Sequence, residues 1–569
     1  MRHFVRLAAL FLYALVHAAP LGAQASVTQT AAAQTALARH GMVASQEARA
    51  TRIGVAVLEK GGNAVDAAVA VGFALAVTHP QAGNIGGGGF MLIHLAERGE
   101  TVAIDYRETA PQAMTAETFL DDRGEADPKK SQDSALAVGV PGTVAGLTLA
   151  LERYGSGRFS LGELIAPAIA LAREGIPVED DLADSLKRAA PRLVRWSSSR
   201  IFFGADGAVL GSGDRLVQAQ LADSLAAIAG AGAPAFYRGT IAEKIVASTR
   251  NAGGLLGLED LASYRATIRE PVHGRYRGHD IVSMPPPSSG GVALIETLNI
   301  LEGYDLKSLG DAAPHFLVEA MKRAYADRAE FLGDPDAVHV PVDKLISKAH
   351  AAQLRATIRE RATPASVLRA RAPVQDGSDN TTHFSIVDRF GNAVANTYTL
   401  NFSYGLGLVA EGTGILLNNE LDDFAAKPGS PNAYGLVGSA ANAPGPGKRP
   451  LSSMTPTIVL RDGNVMLVTG SPGGSRIITT ALQVALNVID LGMNIGEAVA
   501  QPRLHHQWLP DEVVVEPDIS PDVIAVLERR GHAVREAPRW GSANSILMTQ
   551  EGLVGAADPR TRGSLAAGH

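Results

Sequence analysis

Not one of the 569 residues is a cysteine, which removes a thiol nucleophile, thiolate metal sites and a disulfide framework together. That absence is compatible with export to an oxidising compartment without demanding it. No G-x-S-x-G elbow occurs, which argues against an α/β-hydrolase, and no H-E-x-x-H or paired-cysteine metal pattern is present. No basic run of the kind that tracks a nucleic-acid backbone appears, and a net charge of −7 is too mild for acidic-tail behaviour. Nor does any apolar stretch comfortably reach the roughly 20 residues that a membrane span needs. Aromatics are 5 % of the chain whereas glycines number 60, a balance that predicts close backbone approaches in layered packing. The rest, 46 % hydrophobic and 19 % charged, is the composition of an ordinary globular protein. Its length suits several domains or one large core built from two long segments.

The first 25 residues read as an address. Arg2 and Arg6 precede an apolar run at 7–16, and Ala23-Gln24-Ala25 forms a small-residue cleavage site. A cleavable signal peptide over 1–25 is expected, leaving a periplasmic or secreted chain with no membrane attachment. An uncleaved anchor is the alternative reading of the same residues.

Beyond it, 54–80 reads as helices around a Gly61-Gly62-Asn63 turn. The alanine–valine run at 64–77 is apolar almost all round, as a buried helix is, and Asp66 within it either hydrogen-bonds locally or caps the helix. Gly86-Gly87-Gly88-Gly89 leads into 90–95 and 101–106, which read as paired strands with Arg107 at the end of the second. A phosphate loop needs Lys-Ser/Thr and a following helix, so these glycines predict a tight, close-packed turn instead. From about 143 to 368 helical periodicity dominates (161–173, 216–231, 316–331, 344–361), broken by Pro-Pro-Pro-Ser-Ser-Gly-Gly at 285–291. Residues 362–380 are polar and contain turn formers, as an exposed linker does. Strand alternation then takes over at 382–388, with a Gly391-Asn392 turn and 393–400 as hairpin partner. The Gly/Pro/Ala/Asn stretch at 429–447 has no predicted structure of its own, and loops that long serve as lids, binding loops or disordered segments. Strands at 457–460 and 465–468 precede a helix at 477–491. His505 and His506 are adjacent and would point apart, so they read as structural and not as a shared metal site.

Ser288, Ser289, Ser452 and Ser453 are nucleophiles in principle, but spacing implies no base for any of them. The informative word is Asp379-Asn380-Thr381-Thr382-His383-Phe384-Ser385, a threonine opening a strand after a loose polar linker. If the chain is cut just before Thr381, hydroxyl and free α-amine share one residue. The amine, with an ordinary pKa of about 7.7–8.0, then serves as the base a lone threonine hydroxyl needs. Alone, the same word is also an ordinary turn into a strand.

Its company decides between the two. Gly61-Gly62-Asn63-Ala64-Val65-Asp66-Ala67-Ala68, the 84–90 segment, Tyr106-Arg107-Glu108, 285–291 and Thr381-Thr382-His383 occur in that order. Thr397-Tyr398-Thr399-Leu400-Asn401, 417–424, Arg449-Pro450-Leu451-Ser452-Ser453-Met454 and Gly470-Ser471-Pro472-Gly473-Gly474-Ser475-Arg476 follow. With these words, from about residue 40 to its C-terminus, the chain resembles the bacterial γ-glutamyltranspeptidases of the N-terminal-nucleophile hydrolase superfamily.

The resemblance implies an α+β fold, a four-layer αββα sandwich of two antiparallel sheets flanked by helices. It implies self-cleavage between Asn380 and Thr381, giving a large subunit 26–380 and a small subunit 381–569 that stay together as one folded heterodimer. Thr381 would be the nucleophile, Thr399 would orient its hydroxyl, and Gly473 and Gly474 would offer two backbone N–H groups to the oxyanion. Arg107, Ser452 and Ser453 would hold the α-carboxylate of a γ-glutamyl donor such as glutathione, and Asn401, Glu420 and Asp423 its ammonium. Position 420 varies between Gln and Glu in the family and is Glu here. Tyr434, in the 429–447 lid, would gate the acyl-enzyme. The acyl group would pass to water or to an amino acid or dipeptide; no cofactor, metal or nucleic acid is implied. Two rival readings are a glutaryl or cephalosporin acylase of the same fold, where Asp423 would meet no ammonium, and an unprocessed periplasmic protein that only binds γ-glutamyl compounds.

Overall fold

Two seven-stranded antiparallel sheets face each other in the computed structural model, which describes residues 32–368 and 381–569. The expected signal peptide, the 369–380 part of the linker and Asn380 lie outside the described residues. One sheet runs Leu565–Gly568, Gly41–Ser45, Thr382–Asp388, Ala393–Thr399, Gly88–Leu95, Glu100–Tyr106, Thr267–Arg269. The other runs Gln34–Ala38, Leu553–Ala557, Ser545–Met548, Asn464–Thr469, Thr457–Arg461, His279–Ser283, Val272–Tyr276. Each sheet takes strands from both sides of residue 381, so neither half of the chain completes a sheet alone.

Strand alternation sorts the side chains into layers. Phe90, Leu92, Val387, Ala395, Ile458 and Val468 meet between the sheets. Phe384, Ile386 and Tyr398 face the opposite way, against helices Ala48–Glu59 and Ala64–Thr78. Helices Gly290–Leu301, Ala313–Phe331 and Ile477–Ile489 cover Ile281, Val459 and Leu467 on the far side. The result is the expected helix–sheet–sheet–helix sandwich. Ala64–Thr78 is buried along its whole length, so its ends need partners inside the protein. Asn63 accepts from the Val65 and Asp66 amides, while the Asp66 carboxylate accepts from Asn63 N at 2.9 Å and from Ser156 N at 3.1 Å. Asp66 therefore both caps the helix and ties it to a neighbouring loop.

The middle of the chain is less helical than its periodicity suggests. Thr267–Arg269, Val272–Tyr276 and His279–Ser283 are strands, two of them at sheet edges. Edge strands carry charge on their open side, and Arg269, Arg275 and His279 obscure the hydrophobic alternation. The 344–361 stretch divides into Val342–Leu345 and Lys348–Arg355, because the Ser347 hydroxyl accepts from His350 N and starts a new helix. The 216–231 helix begins only at Ala219, Leu216 being taken into a two-residue strand. His505 sits between Thr479 Oγ1 and Gln507 Oε1, at 2.9 Å from each, while His506 Nδ1 accepts from Trp508 N at 3.0 Å. The two rings serve different partners. Among the described residues no helix is long and apolar enough to cross a membrane.

The Gly86–Gly89 run, whose last two residues open the strand Gly88–Leu95, is a packing device. A Cβ on Gly87 would lie 2.1 Å from the Thr399 carbonyl oxygen, and one on Gly89 would lie 2.4 Å from Tyr398 Cβ. Gly87→Ala should therefore push the Thr399 end of its strand outward and destabilise the protein by about 1–3 kcal/mol. A lowered Tm in thermal unfolding checks it, and a wild-type Tm would refute the close contact.

Candidate active site

The hairpin register builds the centre of the site. Thr382 pairs with Tyr398 and His383 with Thr397, so one step outward Thr381 comes opposite Thr399. Their hydroxyls meet at 3.4 Å, loose for a hydrogen bond, and Thr399 Oγ1 also accepts from Asn401 N at 2.9 Å. Both threonines are buried. Behind them His383 lies 2.8 Å from Thr397 Oγ1 and 3.1 Å from Ser385 Oγ. Burial pushes its pKa down to about 3, so it is a neutral packing group and no proton acceptor at working pH.

Gly473 and Gly474 adopt φ of +136° and +54°, backbone that favours glycine, just before the helix Ile477–Ile489. Thr381, Thr399, Asn401, Glu420, Asp423, Tyr434, Ser452, Ser453 and Gly474 all line one small cavity of about 20 Å³. Arg107 and Gly473 stand outside that lining. Arg107 ends the strand Glu100–Tyr106 and is fully buried.

Arg107 is in contact with both carboxylates that the resemblance assigns to the ammonium. Its Nη1 donates to Glu420 Oε1, its Nη2 to Asp423 Oδ2 at 2.5 Å, and its Nε to Pro450 O at 3.1 Å. Glu108 lies 3.8 Å away. Burial disfavours the guanidinium charge, but Glu420, Asp423 and Glu108 outweigh it and raise the pKa. Burial likewise pushes Glu420 up to about 7 against the pull of Arg107, and raises Asp423. Glu108 is driven well above the usual carboxylate range, first by burial and then by Glu420. Burial thus raises all three carboxylates, while Arg107 and, at Asp423, Arg328 pull the other way.

The remaining walls come from two clamped segments. Ser452 N donates to Pro287 O at 2.9 Å, Ser289 N to Ser452 O at 2.8 Å, and the Ser289 hydroxyl to the same carbonyl at 2.6 Å. The 285–291 word thereby holds the 449–454 word in place. Opposite, the 429–447 loop is tied down: Asp422 accepts from Ala433 N at 3.0 Å, and Asp423 from Asn432 Nδ2 at 2.9 Å. Tyr434 is buried, and its hydroxyl reaches Asn401 O at 2.9 Å and Asn401 Oδ1 at 2.7 Å. Asn401 itself takes φ +76°, a left-handed conformation that asparagine tolerates. The loop has little regular structure, a short turn at Ala440–Asn442 and a bridge between Pro431 and Val437.

Sequence reasoning passed over Asp422 as a lid anchor, Glu108 as a member of the charge cluster, and Arg328 with Ser289 behind Ser453. The signal for Glu108 and Asp422 was adjacency to named site residues; Arg328 lay in the 316–331 helical stretch, where periodicity alone does not single it out. Outside the pocket, Glu296, Asp327 and His350 bring one ligand atom each within 4.8 Å of one another. His350 Nε2 and Asp327 Oδ2 are hydrogen-bonded at 2.7 Å, so those two atoms already serve each other.

This arrangement can be set beside known proteins. Residues 50–568 match the family model described as gamma-glutamyltranspeptidase. The chain is 54 % identical over 538 residues to the glutathione hydrolase proenzyme of Escherichia coli K12, covering 94 % of this chain and 92 % of that one. Its fold matches a crystal structure of cephalosporin acylase from Bacillus halodurans with a TM-score of 0.82 at 29 % identity, covering 94 % and 97 % of the two chains. It also matches a structure of Helicobacter pylori gamma-glutamyltranspeptidase with a TM-score of 0.55 at 50 % identity, covering 56 % of this chain and 93 % of that one. With a family model matched over most of its length and a relative 54 % identical across 94 % of it, the chain belongs to the γ-glutamyltranspeptidase family.

Proposed function

We infer that the protein is an autoprocessed γ-glutamyl acyltransferase and hydrolase acting on glutathione and related γ-glutamyl amides. The observation that carries this reading is the hairpin register that sets the Thr381 hydroxyl against Thr399 inside a cavity bearing both acidic and hydroxyl walls. The E. coli relative's name, a proenzyme, agrees with a chain that must be cut. In processing, Thr381 Oγ attacks the Asn380 carbonyl, the acyl group moves from nitrogen to oxygen, and water hydrolyses the ester. Subunits 26–380 and 381–569 then remain joined through their shared sheets, the first having lost its 1–25 signal peptide on the way to the periplasm or medium.

In turnover the freed α-amine takes the Thr381 hydroxyl proton as Oγ attacks the γ-carbonyl. Thr399 orients that hydroxyl, and the Gly473 and Gly474 amides receive the oxyanion; loss of one such donor typically costs about 10²–10³ in kcat. Collapse expels the amine, which regains the proton, and the γ-glutamyl ester passes to water or to an amino acid or dipeptide. The donor's head group exchanges partners with the protein. Its α-carboxylate goes to Arg107, Ser452 and Ser453, and its ammonium to Asn401, Glu420 and Asp423. Because the donor carries one charge of each sign, the Arg107 pairs are replaced without leaving a buried charge unmatched. A cavity of about 20 Å³ holds little more than one water, so Tyr434 and its loop must lift for entry.

Glu420 and Asp423 favour this reading over the acylase one, since a glutaryl group offers them no ammonium. Turnover of a γ-glutamyl anilide should exceed that of the glutaryl anilide, and the reverse order would make the protein an acylase. Mass analysis of purified protein should find a fragment beginning at Thr381. Thr381→Ala should stay a single chain without turnover, whereas substantial residual activity would remove Thr381 as nucleophile. The pH dependence follows from Glu420, whose pKa lies at about 7. As pH falls through that value it gains a proton and attracts the ammonium less, so kcat/KM for the donor should fall. Glu420→Gln should lack this contribution; an unaltered profile in the variant would exclude Glu420 from ammonium recognition.

A further inference from the structure

We propose that Arg328 is a positioning residue of the donor pocket, acting through Ser453 to aim a hydroxyl proton at the donor's α-carboxylate. The inference rests on the γ-glutamyl reading above and extends it to a residue outside the pocket wall. Arg328 lies on Ala313–Phe331 and is 4 % exposed. Its Nε donates to Ser289 Oγ at 2.9 Å and its Nη2 to Ser453 Oγ at 3.3 Å. Among the described residues it forms no ion pair with a carboxylate, which sets it apart from Arg107 with its three acidic neighbours. A buried guanidinium whose hydrogen bonds go to hydroxyls depends on nearby anions for its charge, and Asp423 is one of them.

The geometry says where a further anion would meet it. A serine hydroxyl that accepts from a guanidinium turns its own proton away from it. Ser453 lines the Thr381 cavity, so the proton turned away from Arg328 is available to a carboxylate there. Ser289 shows the same pattern one step back: it accepts from Arg328 Nε and donates to Ser452 O at 2.6 Å. One guanidinium thus fixes both the serine that faces the pocket and the backbone next to it. Burial works against its charge, Tyr325 and Asp423 favour it, and Arg107 opposes it, so a donor carboxylate near both arginines would relieve their mutual repulsion.

The test compares donors with and without the α-carboxylate, using the γ-glutamyl anilide and the 4-aminobutyryl anilide on purified, processed enzyme. Arg328→Gln should raise KM for the γ-glutamyl donor about 10- to 100-fold, with kcat changed much less. Turnover of the 4-aminobutyryl donor should be unchanged. Arg328→Lys, which keeps charge and a donor, should recover part of the loss. In a Ser453→Ala background Arg328→Gln should add little. Equal losses for both donors, or full additivity with Ser453→Ala, would reduce Arg328 to a structural role and overturn the proposal. If Arg328→Gln fails to cut itself, Arg328→Lys carries the same comparison of donors. A wild-type enzyme that ignores the γ-glutamyl anilide would instead overturn the functional reading, leaving the two failures distinct.

Discussion

The pairing of Arg107 with Glu420 and Asp423 governs the pocket, because buried charge is tolerated only when matched. Those ion pairs join the end of one strand to a segment that follows the catalytic hairpin. They also anchor the lid indirectly: Asp423 accepts from Asn432 with the oxygen that Arg107 does not use. Any molecule that enters must therefore meet the charges it displaces. A zwitterionic head group does so, whereas a monoanion would satisfy the arginine and leave the carboxylates to be protonated.

The placement of Thr381 depends on a different constraint, the close approach of backbone layers. Thr381 reaches Thr399 because the hairpin is in register and because Gly87 lets the next strand press against the Thr399 carbonyl. His383, neutral and hydrogen-bonded to Thr397 and Ser385, fills the space between the sheets just behind. A side chain on Gly470 would collide with that ring at 2.4 Å from Cε1, so the sheet opposite is held equally close. Thr381 thereby opens a strand of a buried sheet, while Glu420, Asp423, Tyr434, Ser452 and Ser453 reach the same cavity from short turns and loops.

Much of this was legible in the sequence, and the reasons differ by element. The buried Ala64–Thr78 helix and the Thr382–Asp388 hairpin could be read because apolar runs and strict alternation have one interpretation each. The site residues could be named because the family resemblance fixed them, and the fold does gather nine of those positions around one cavity. The edge strands near 267–283 escaped because their open faces carry charge. Arg328 escaped for a related reason. Helix Ala313–Phe331 buries Glu319, Lys322, Arg323, Asp327 and Arg328, and a periodicity argument assigns such residues to solvent. Nor could spacing reveal that Arg107 touches the acids meant for its substrate's other end, since that contact joins segments more than 300 residues apart.

The lid and the charge cluster are best understood as one device. Tyr434 donates to Asn401, Asn401 lines the cavity beside Thr399, and Asp422 and Asp423 accept from the loop on either side of that contact. Burial drives Asp422 up to about 7 as well, so two acids at the lid's foot hold or release protons in the same range. Lifting the loop would hydrate them and favour their ionised forms, which is the state that attracts an ammonium. Closing over a bound donor would keep them ionised by pairing. On the proposed function, opening and ammonium capture would be coupled through Asp423, which both accepts from the loop and lines the cavity.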